Sequence, residues 1–146
     1  MGNMSWLRSH VERCLQDCWT QYPVPMDSEG DYPFRWGTAQ CYVSLDDTAE
    51  YVRVWAFAAQ IPKGSLKLLL EINVINERAR TARVYWSGGW LVTEQSVPVD
   101  AVSVEVLGQA CTAVGVLADD IGVLLAAMFG GETPFAAVEV EEQENH

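Results

Sequence analysis

Residues 82–97 read ARVYWSGGWLVTEQSV, and residues 103–129 read SVEVLGQACTAVGVLADDIGVLLAAMF. In the first stretch, two runs of aromatic and β-branched residues flank Ser87, Gly88 and Gly89, and glycine supplies the positive φ that a tight turn needs. In the second stretch, apolar residues recur at helical spacing throughout. The sequence therefore predicts a β-hairpin over 82–97 followed by one long helix over 103–129.

The long predicted helix carries a line of small residues beside a line of large ones. The small residues repeat in steps of three and four, at Gly108, Cys111, Gly115, Ala118 and Gly122. Because a glycine inside a helix costs about 1 kcal/mol relative to alanine, this line predicts close packing, either against the chain's own sheet or against another helix across a dimer. The acids and glycines of this helix argue against a membrane span, and we expect its Asp119–Asp120 pair on a solvent-facing strip.

Before the hairpin, the pattern predicts two more helices and two more strands. Helices are expected over 4–19 and over 66–79, the second capped by Ser65. Strands are expected over 34–45, with Gly37 as a bulge, and over 51–61. Alternation along 51–61 places one set of residues on a common face: Tyr51, Arg53, Trp55, Phe57 and Ala59.

These elements predict an α+β fold in the order α-β-β-α-β-β-α, with helices packed on an antiparallel sheet. The length of 146 residues fits one domain. We expect residues 1–131 to form that domain and residues 132–146 to form an acidic C-terminal tail.

The charge of the chain excludes several classes of partner. The net charge is −11, and residues 84–146 contain ten acids and no Lys or Arg. Such a balance repels phosphate backbones and anionic lipid, so neither nucleic acid nor a membrane surface is an expected partner. The tail is interpreted as a solubilising segment or as one that attracts basic partners or folds back over a basic surface of its own domain.

The four cysteines, Cys14, Cys18, Cys41 and Cys111, form no CxxC pair, and the first residues lack the apolar core of a secretory signal. This favours reduced thiols in a cytoplasmic protein. Together with His10, Cys14 and Cys18 form a helical stripe that would supply three metal ligands, but no fourth is evident, and buried apolar cysteines are the favoured interpretation. We predict no metal and no cofactor.

The catalytic inventory is poor, because the only histidines are His10 and His146 and nucleophilic catalysis usually needs a histidine base. We therefore predict no enzyme. Aromatic residues and arginines are abundant on the predicted strands, where such side chains commonly anchor protein interfaces. The candidate partner-binding residues are Trp36, Tyr42, Arg53, Trp55, Phe57, Tyr85, Trp86 and Trp90.

Four features of the chain are also found together in a known protein family. They are the element order, the stretch LLLEINVIN at residues 68–76, the hairpin, and the final helix ending in MFGG. Over about residues 30–131 the chain resembles the YbjN-like branch of the type III secretion chaperone-like superfamily. The resemblance implies a small α+β domain, frequent homodimerisation, and apolar grooves that hold extended segments of client proteins without cofactor or turnover. It supplies no catalytic residues.

The leading hypothesis is a non-catalytic, dimeric protein-binding module that holds a segment of a client protein on its sheet aromatics. The alternative is a small-molecule-binding or enzymatic domain with a closed cavity under the last helix. A purely structural role in a larger assembly is the third interpretation.

Overall fold

A computed structural model describes residues 2–137. In chain order the elements are α1 (Gly2–Trp19), β1 (Tyr32–Trp36), β2 (Ala39–Leu45), β3 (Tyr51–Gln60), α2 (Leu66–Arg78), β4 (Arg83–Ser87), β5 (Trp90–Pro98) and α3 (Val104–Phe129). The strands form one antiparallel sheet in the order β1-β2-β3-β5-β4. The predicted α+β class, with an antiparallel sheet and helices packed on it, is confirmed.

The first predicted strand is wrong as a single strand, because the chain reverses at Gly37 and forms the β1–β2 hairpin. Gly37 has a φ of 58°, and a Cβ there would overlap the carboxylate of Asp119. The backbone N–H and the hydroxyl of Thr38 both donate to Oδ1 of Asp119 at 2.8 Å. The element order therefore gains one strand, and Asp119 holds this turn from α3 instead of lying on a solvent-facing strip.

The other elements lie where the sequence predicts them. Ser65 and Ser103 are the N-cap residues of α2 and α3, and each side-chain oxygen accepts a hydrogen bond from a backbone N–H three residues later. The β4–β5 hairpin turns at Gly88 and Gly89, both at positive φ. Local capping and turn chemistry account for these boundaries.

The small-residue stripe of α3 faces the chain's own sheet and α1. A Cβ at Gly122 would overlap the carbonyl oxygen of Ala58 on β3, and a Cβ at Gly115 would overlap the ring of Trp36 on β1. Cys111 and Ala118 are buried, and Gly108 lies beside Cys18 of α1. The sequence predicts that this stripe packs either against the chain's own sheet or against a helix across a dimer, and in the structure it packs against the chain's own sheet and α1.

α3 is long and apolar enough to cross a membrane by length and composition alone. Ten of its residues are nevertheless buried inside the domain, and Val114 receives a hydrogen bond from the buried hydroxyl of Thr93 on β5 at 3.1 Å. A central helix of a folded core passes the same test of length and composition, and these contacts place one side of α3 in the core of the domain.

α2 covers the free edge of β4 through one side chain. The amide of Asn76 donates to the carbonyl of Val84 at 2.9 Å and accepts from the N–H of Val84 at 2.8 Å. It therefore pairs with the backbone of β4 as a neighbouring strand would. Leu68 and Ile72 of α2 are buried in the core below this contact.

The alternation of β3 separates a covered face from an open face of the sheet. Val52, Val54 and Ala56 are buried on the face that meets the helices. A register shift between Phe57 and Ala59 buries both Ala58 and Ala59, so the expected position of Ala59 beside Trp55 is wrong. We call the opposite face, which no helix within residues 2–137 covers, the open face.

Residues 132–137, which the sequence assigns to the acidic tail, lie against the end of the sheet. Glu132 pairs with Gln60 of β3 through two backbone hydrogen bonds of 2.7 and 3.0 Å. The N–H of Phe135 donates to the carbonyl of Thr38 at 3.1 Å. The rest of that tail, residues 138–146, lies outside the described residues.

Candidate functional site

Four aromatic side chains form a continuous row across the open face. The strand register places Tyr42 of β2 opposite Trp55 of β3, and their ring centroids are 4.6 Å apart in a stacked arrangement. Trp55 meets Phe57 edge-on at 5.0 Å, and Phe57 meets Trp90 of β5 at 4.6 Å. We call these four residues the aromatic row.

The row is fixed in place but remains accessible. The indole N–H of Trp55 donates to the hydroxyl of Ser44 at 2.8 Å, which sets the orientation of the largest ring. All four rings are half-buried, chiefly against one another and the strands below. Since ring pairs of this kind contribute about 0.5–1.5 kcal/mol beyond the area that they bury, the row is a rigid apolar platform.

Beside the row lies a charged cluster built on Glu94 of β5. The carboxylate of Glu94 accepts hydrogen bonds from Arg53 of β3 and from Arg83 of β4, the Arg83 Nε contact being 3.0 Å. The Tyr85 hydroxyl lies 2.9 Å from Arg53 Nη2 and 3.2 Å from Glu94 Oε1. We call these four residues the arginine cluster.

The two arginines of the cluster share the carboxylate of Glu94. Burial alone would raise the pKa of Glu94, but the hydrogen bonds and charges of Arg83 and Arg53 hold that pKa below its usual value. Glu94 is therefore a carboxylate with two guanidinium partners, and Asp46 and Asp47 line the same cleft. The guanidinium of Arg53 also lies 4.7 Å from the Trp55 ring centroid, which joins the cluster to the aromatic row.

The structure brings six of the eight predicted partner-binding residues together on the open face, namely Tyr42, Arg53, Trp55, Phe57, Tyr85 and Trp90. Trp36 and Trp86 lie on the covered face instead. The ring of Trp36 packs under Gly115 of α3. Trp86 packs against Gly64 and donates from Nε1 to the carbonyl of Ile61 at 2.9 Å. Both rings therefore stabilise the fold.

Sequence reasoning missed an exposed apolar stripe on α2. The residues whose helical spacing predicts this helix point outward, with Leu66 73%, Leu69 51%, Leu70 58% and Val74 40% exposed. Leu68 and Ile72 are the residues that enter the core. The signal was present in the sequence, because α2 is apolar on two sides and a single core contact covers only one of them. We call the exposed set the α2 stripe.

A groove of about 680 Å³ runs between α1 and α3, lined by residues that include Trp19, Trp36 and Glu105. It is open to solvent, whereas the alternative hypothesis requires an enclosed cavity beneath α3. The small residue Gly108 and the exposed Thr112 lie along its α3 wall. The groove offers an apolar surface with little polar convergence.

The cysteine and histidine side chains are set up for packing. Burial raises the pKa of the Cys14 and Cys18 thiols, and it raises those of Cys41 and Cys111 to about 12. Thiols with such pKa values are neutral and weakly nucleophilic at neutral pH. Nε2 of His10 lies 2.9 Å from the carbonyl oxygen of Val102 and donates to it. In the described part of the chain, no group of three His, Cys, Asp or Glu side chains is arranged to hold a metal ion.

Comparisons with known proteins show the family and the fold of the chain. The family model described as T3SS (YopN, CesT) and YbjN peptide-binding chaperone 1 matches residues 5–137. No curated protein sequence gives a significant match.

Three solved structures share the fold. The ExsC–ExsE complex matches with a TM-score of 0.65 at 13% identity, covering 81% of this chain and 95% of that one. The HopA1–SchA chaperone–effector complex matches with a TM-score of 0.60 at 15% identity, covering 78% and 90%. YbjN from E. coli matches with a TM-score of 0.63 at 17% identity, covering 87% and 95%.

Proposed function

The chain belongs to the family of T3SS (YopN, CesT) and YbjN peptide-binding chaperones, and we propose that it binds an extended segment of a client protein on the open face. The observation that carries this proposal is the aromatic row, an ordered apolar platform that no helix within residues 2–137 covers. The proposed activity is binding without catalysis.

The arginine cluster adds a chemical preference to this platform. Arg53 and Arg83 share the single carboxylate of Glu94, so a carboxylate from the client would find a guanidinium with free N–H donors. The aromatic row begins beside the cluster at Trp55. We therefore propose a client segment that places apolar side chains on the row and an acidic side chain at the cluster.

Several features support a binding role without turnover. The four cysteines are free, and the buried ones have raised pKa values. His10 is engaged with a backbone carbonyl. The proposed binding activity needs no metal and no cofactor, and free thiols suit a cytoplasmic location.

The test of this function compares two exposed tryptophan sites. A client captured from the native cell by the tagged chain is identified by mass spectrometry, and its affinity is then measured by titration. We expect Trp55→Ala to weaken that affinity by about 2 kcal/mol, or roughly thirtyfold, because a central aromatic anchor is lost. Trp90→Ala should weaken it as well, with a smaller effect at the end of the row.

The matched control is Trp6→Ala, because Trp6 is 60% exposed on α1, away from the sheet. This variant should bind the client with native affinity. If the folded Trp55→Ala and Trp6→Ala variants bind equally well, the open face is not the client site and the proposal is wrong.

We also propose that the protein is a homodimer and that the α2 stripe is its interface. Three exposed leucines and a valine on one helix face form an apolar surface of the kind that a second copy of the same helix buries. The small-residue stripe of α3 is occupied by contacts within the chain, so that stripe is not free to form the interface.

Light scattering tests the dimer with a matched pair of substitutions. Leu70→Glu, on the α2 stripe, should give a folded monomer at concentrations where the native chain is a dimer. Leu124→Glu, at the 56% exposed Leu124 of α3, should leave the dimer intact. A native chain that stays monomeric, or a Leu70→Glu variant that still dimerises, contradicts this interface.

A further inference from the structure

Carboxylates border the aromatic row on the side of β1 and β2. Asp31 directly precedes β1, and Tyr32, which follows it, is buried on the covered face. Because side chains alternate along an extended chain, Asp31 is on the same side of the sheet as Pro33, the register partner of Tyr42. Burial raises the pKa of Tyr42, and the charges of Asp27 and Asp31 raise it further, as expected of carboxylates beside this end of the row.

The loop that carries Asp31 is closed by its own hydrogen bonds. Oδ1 of Asp27 accepts from the backbone N–H groups of Glu29 and Asp31, both at 2.9 Å. Arg8 of α1 also donates from Nη1 to the carbonyl of Gly30 at 3.1 Å. Both ion pairs within residues 2–137 are made by Glu94, so the carboxylate of Asp31 is held beside the row and is open to a cation.

A second pair of carboxylates lies at the β2–β3 turn. Asp46 and Asp47 line a cleft of about 490 Å³ on the open face. The carboxylate of Asp46 accepts from the hydroxyl of Thr48 within the turn, whereas Asp47 is exposed. Three residues of the arginine cluster line the same cleft. The open face therefore carries charges of both signs, with its acids on the side of β1 and β2.

Positive charge lies at the opposite edge, along β4. Arg83 is 70% exposed, and together with the exposed Arg80 it lines a cleft of about 570 Å³ at the start of β4. Among the described residues that line this cleft, Glu94 supplies the only carboxylate, and that carboxylate already pairs with both arginines of the cluster. The aromatic row thus lies between an acidic flank at β1–β2 and a basic flank at β4.

The separation of the two flanks sets the spacing of charges in a matching chain. From β1 to β4 the sheet order crosses four strand spacings, or about 19 Å at about 4.8 Å each. An extended chain advances about 3.3 Å per residue and turns every second side chain to the same side, so about six residues cover this distance. Positions i, i+2, i+4 and i+6 of such a chain then face the sheet, and the two inner positions lie over the strands that carry the aromatic row.

We propose that the open face recognises an extended client segment that crosses the strands, with a basic side chain at Asp31 and an acidic side chain at Arg83. Two apolar side chains between them lie on the aromatic row, so the pattern at alternate positions is basic, apolar, apolar, acidic, in either chain direction. This inference rests on the proposed function, because it takes the open face as the client site. It adds the second charge, the sign at each end and the spacing between them.

Synthetic peptides test this pattern without the native client. The probe is the end-blocked peptide GKSVSLSEG, in which Lys and Glu stand six positions apart with Val and Leu between them. We expect it to shift the indole ¹H–¹⁵N resonances of Trp55 and Trp90 and to leave those of Trp36 and Trp86, on the covered face, in place. The analogue with Gln at both charged positions should bind about tenfold more weakly, because two solvent-screened ion pairs together contribute roughly that much.

A double-mutant cycle assigns each charge to its partner. Asp31→Asn should weaken binding of the probe about threefold, the share of one such pair, and should leave the analogue with Gln in place of Lys unaffected. Arg83→Gln should do the same at the Glu position of the probe. The matched controls are Asp120→Asn and Arg13→Gln, at exposed residues of α3 and α1, which should bind every peptide with native affinity.

Losses confined to the matched pairs support the proposal. If Asp31→Asn and Asp120→Asn weaken the probe equally, or if peptides with Lys or Glu at both ends bind as tightly as the mixed probe, the charge pattern is wrong. The proposed function would then still stand wherever the neutral analogue shifts the resonances of Trp55 and Trp90. If no peptide shifts them, this inference fails, and the Trp55→Ala test with the captured client decides the proposed function independently.

Discussion

Both faces of the sheet carry tryptophans, but the tryptophans of the two faces pack against different partners. On the covered face, Trp36 and Trp86 pack under glycines, and Gly115 and Gly122 let α3 approach the strands. On the open face, Trp55 and Trp90 pack against other aromatic rings instead of a helix. The faces differ in what packs on them. α3 can approach the covered face closely because it presents glycines there, which have no side chain.

Charge separates the two faces as well. Every charged side chain on the strands lies on the open face, whereas the covered face is held by neutral contacts such as the bond from Thr93 to Val114. A buried charge needs partners and hydration that helix packing would exclude. The open face is therefore built to stay accessible, and the covered face is built to be closed.

The largest effect that tests this comparison is expected at the small-residue stripe of α3. Gly122→Ala places a Cβ on the carbonyl oxygen of Ala58, so α3 must shift away from β3. We expect a loss of about 2–3 kcal/mol in the free energy of unfolding, as overpacking of a close contact typically costs. Urea denaturation measures it.

Gly108→Ala is the matched control. A Cβ at Gly108, near the N-terminal end of α3, meets only the Cys18 sulfur, at 3.4 Å. There the better helix propensity of alanine should leave stability unchanged or raise it by up to about 1 kcal/mol. Equal effects of the two substitutions would show that α3 does not rest on β3 as closely as described.

The sequence predicted what local chemistry decides. The start of α2 followed from Ser65, the start of α3 followed from the helical pattern that begins at residue 103, and the β4–β5 turn followed from Gly88 and Gly89. These features depend on residues within a few positions of one another. They are also the features that place the aromatic residues on strands.

Distant contacts decided what the sequence did not predict. Gly37 reads as a bulge until Asp119, more than eighty residues later, fills the space beside it. α2 is apolar on two sides, and the contact of Asn76 with Val84 decides which side enters the core. Alternation likewise divided the aromatic residues into two sets without telling which set a helix would cover.

A smaller effect is expected at the charged centre of the open face. Glu94→Gln leaves Arg53 and Arg83 without their shared carboxylate, but both guanidinium groups reach solvent and remain hydrated. The Glu94 side chain is buried, but the guanidinium ends of both ion pairs are open to solvent, and ion pairs screened by solvent contribute little. We therefore expect a loss of only about 1 kcal/mol in the free energy of unfolding at neutral pH, well below that for Gly122→Ala.

The pH dependence of this loss identifies its origin. The folded-state pKa of Glu94 lies below the ordinary value of 4.5, so the stability that its ionisation contributes is fully present above about pH 4.5 and is lost as the pH falls through the folded-state pKa. The difference between the native chain and Glu94→Gln in urea midpoint should therefore shrink below about pH 4.5. If the difference persists unchanged in acid, the side chain of Glu94 stabilises the sheet by packing and not by its charge. The electrostatic contrast between the two faces would then not contribute to the stability of the fold.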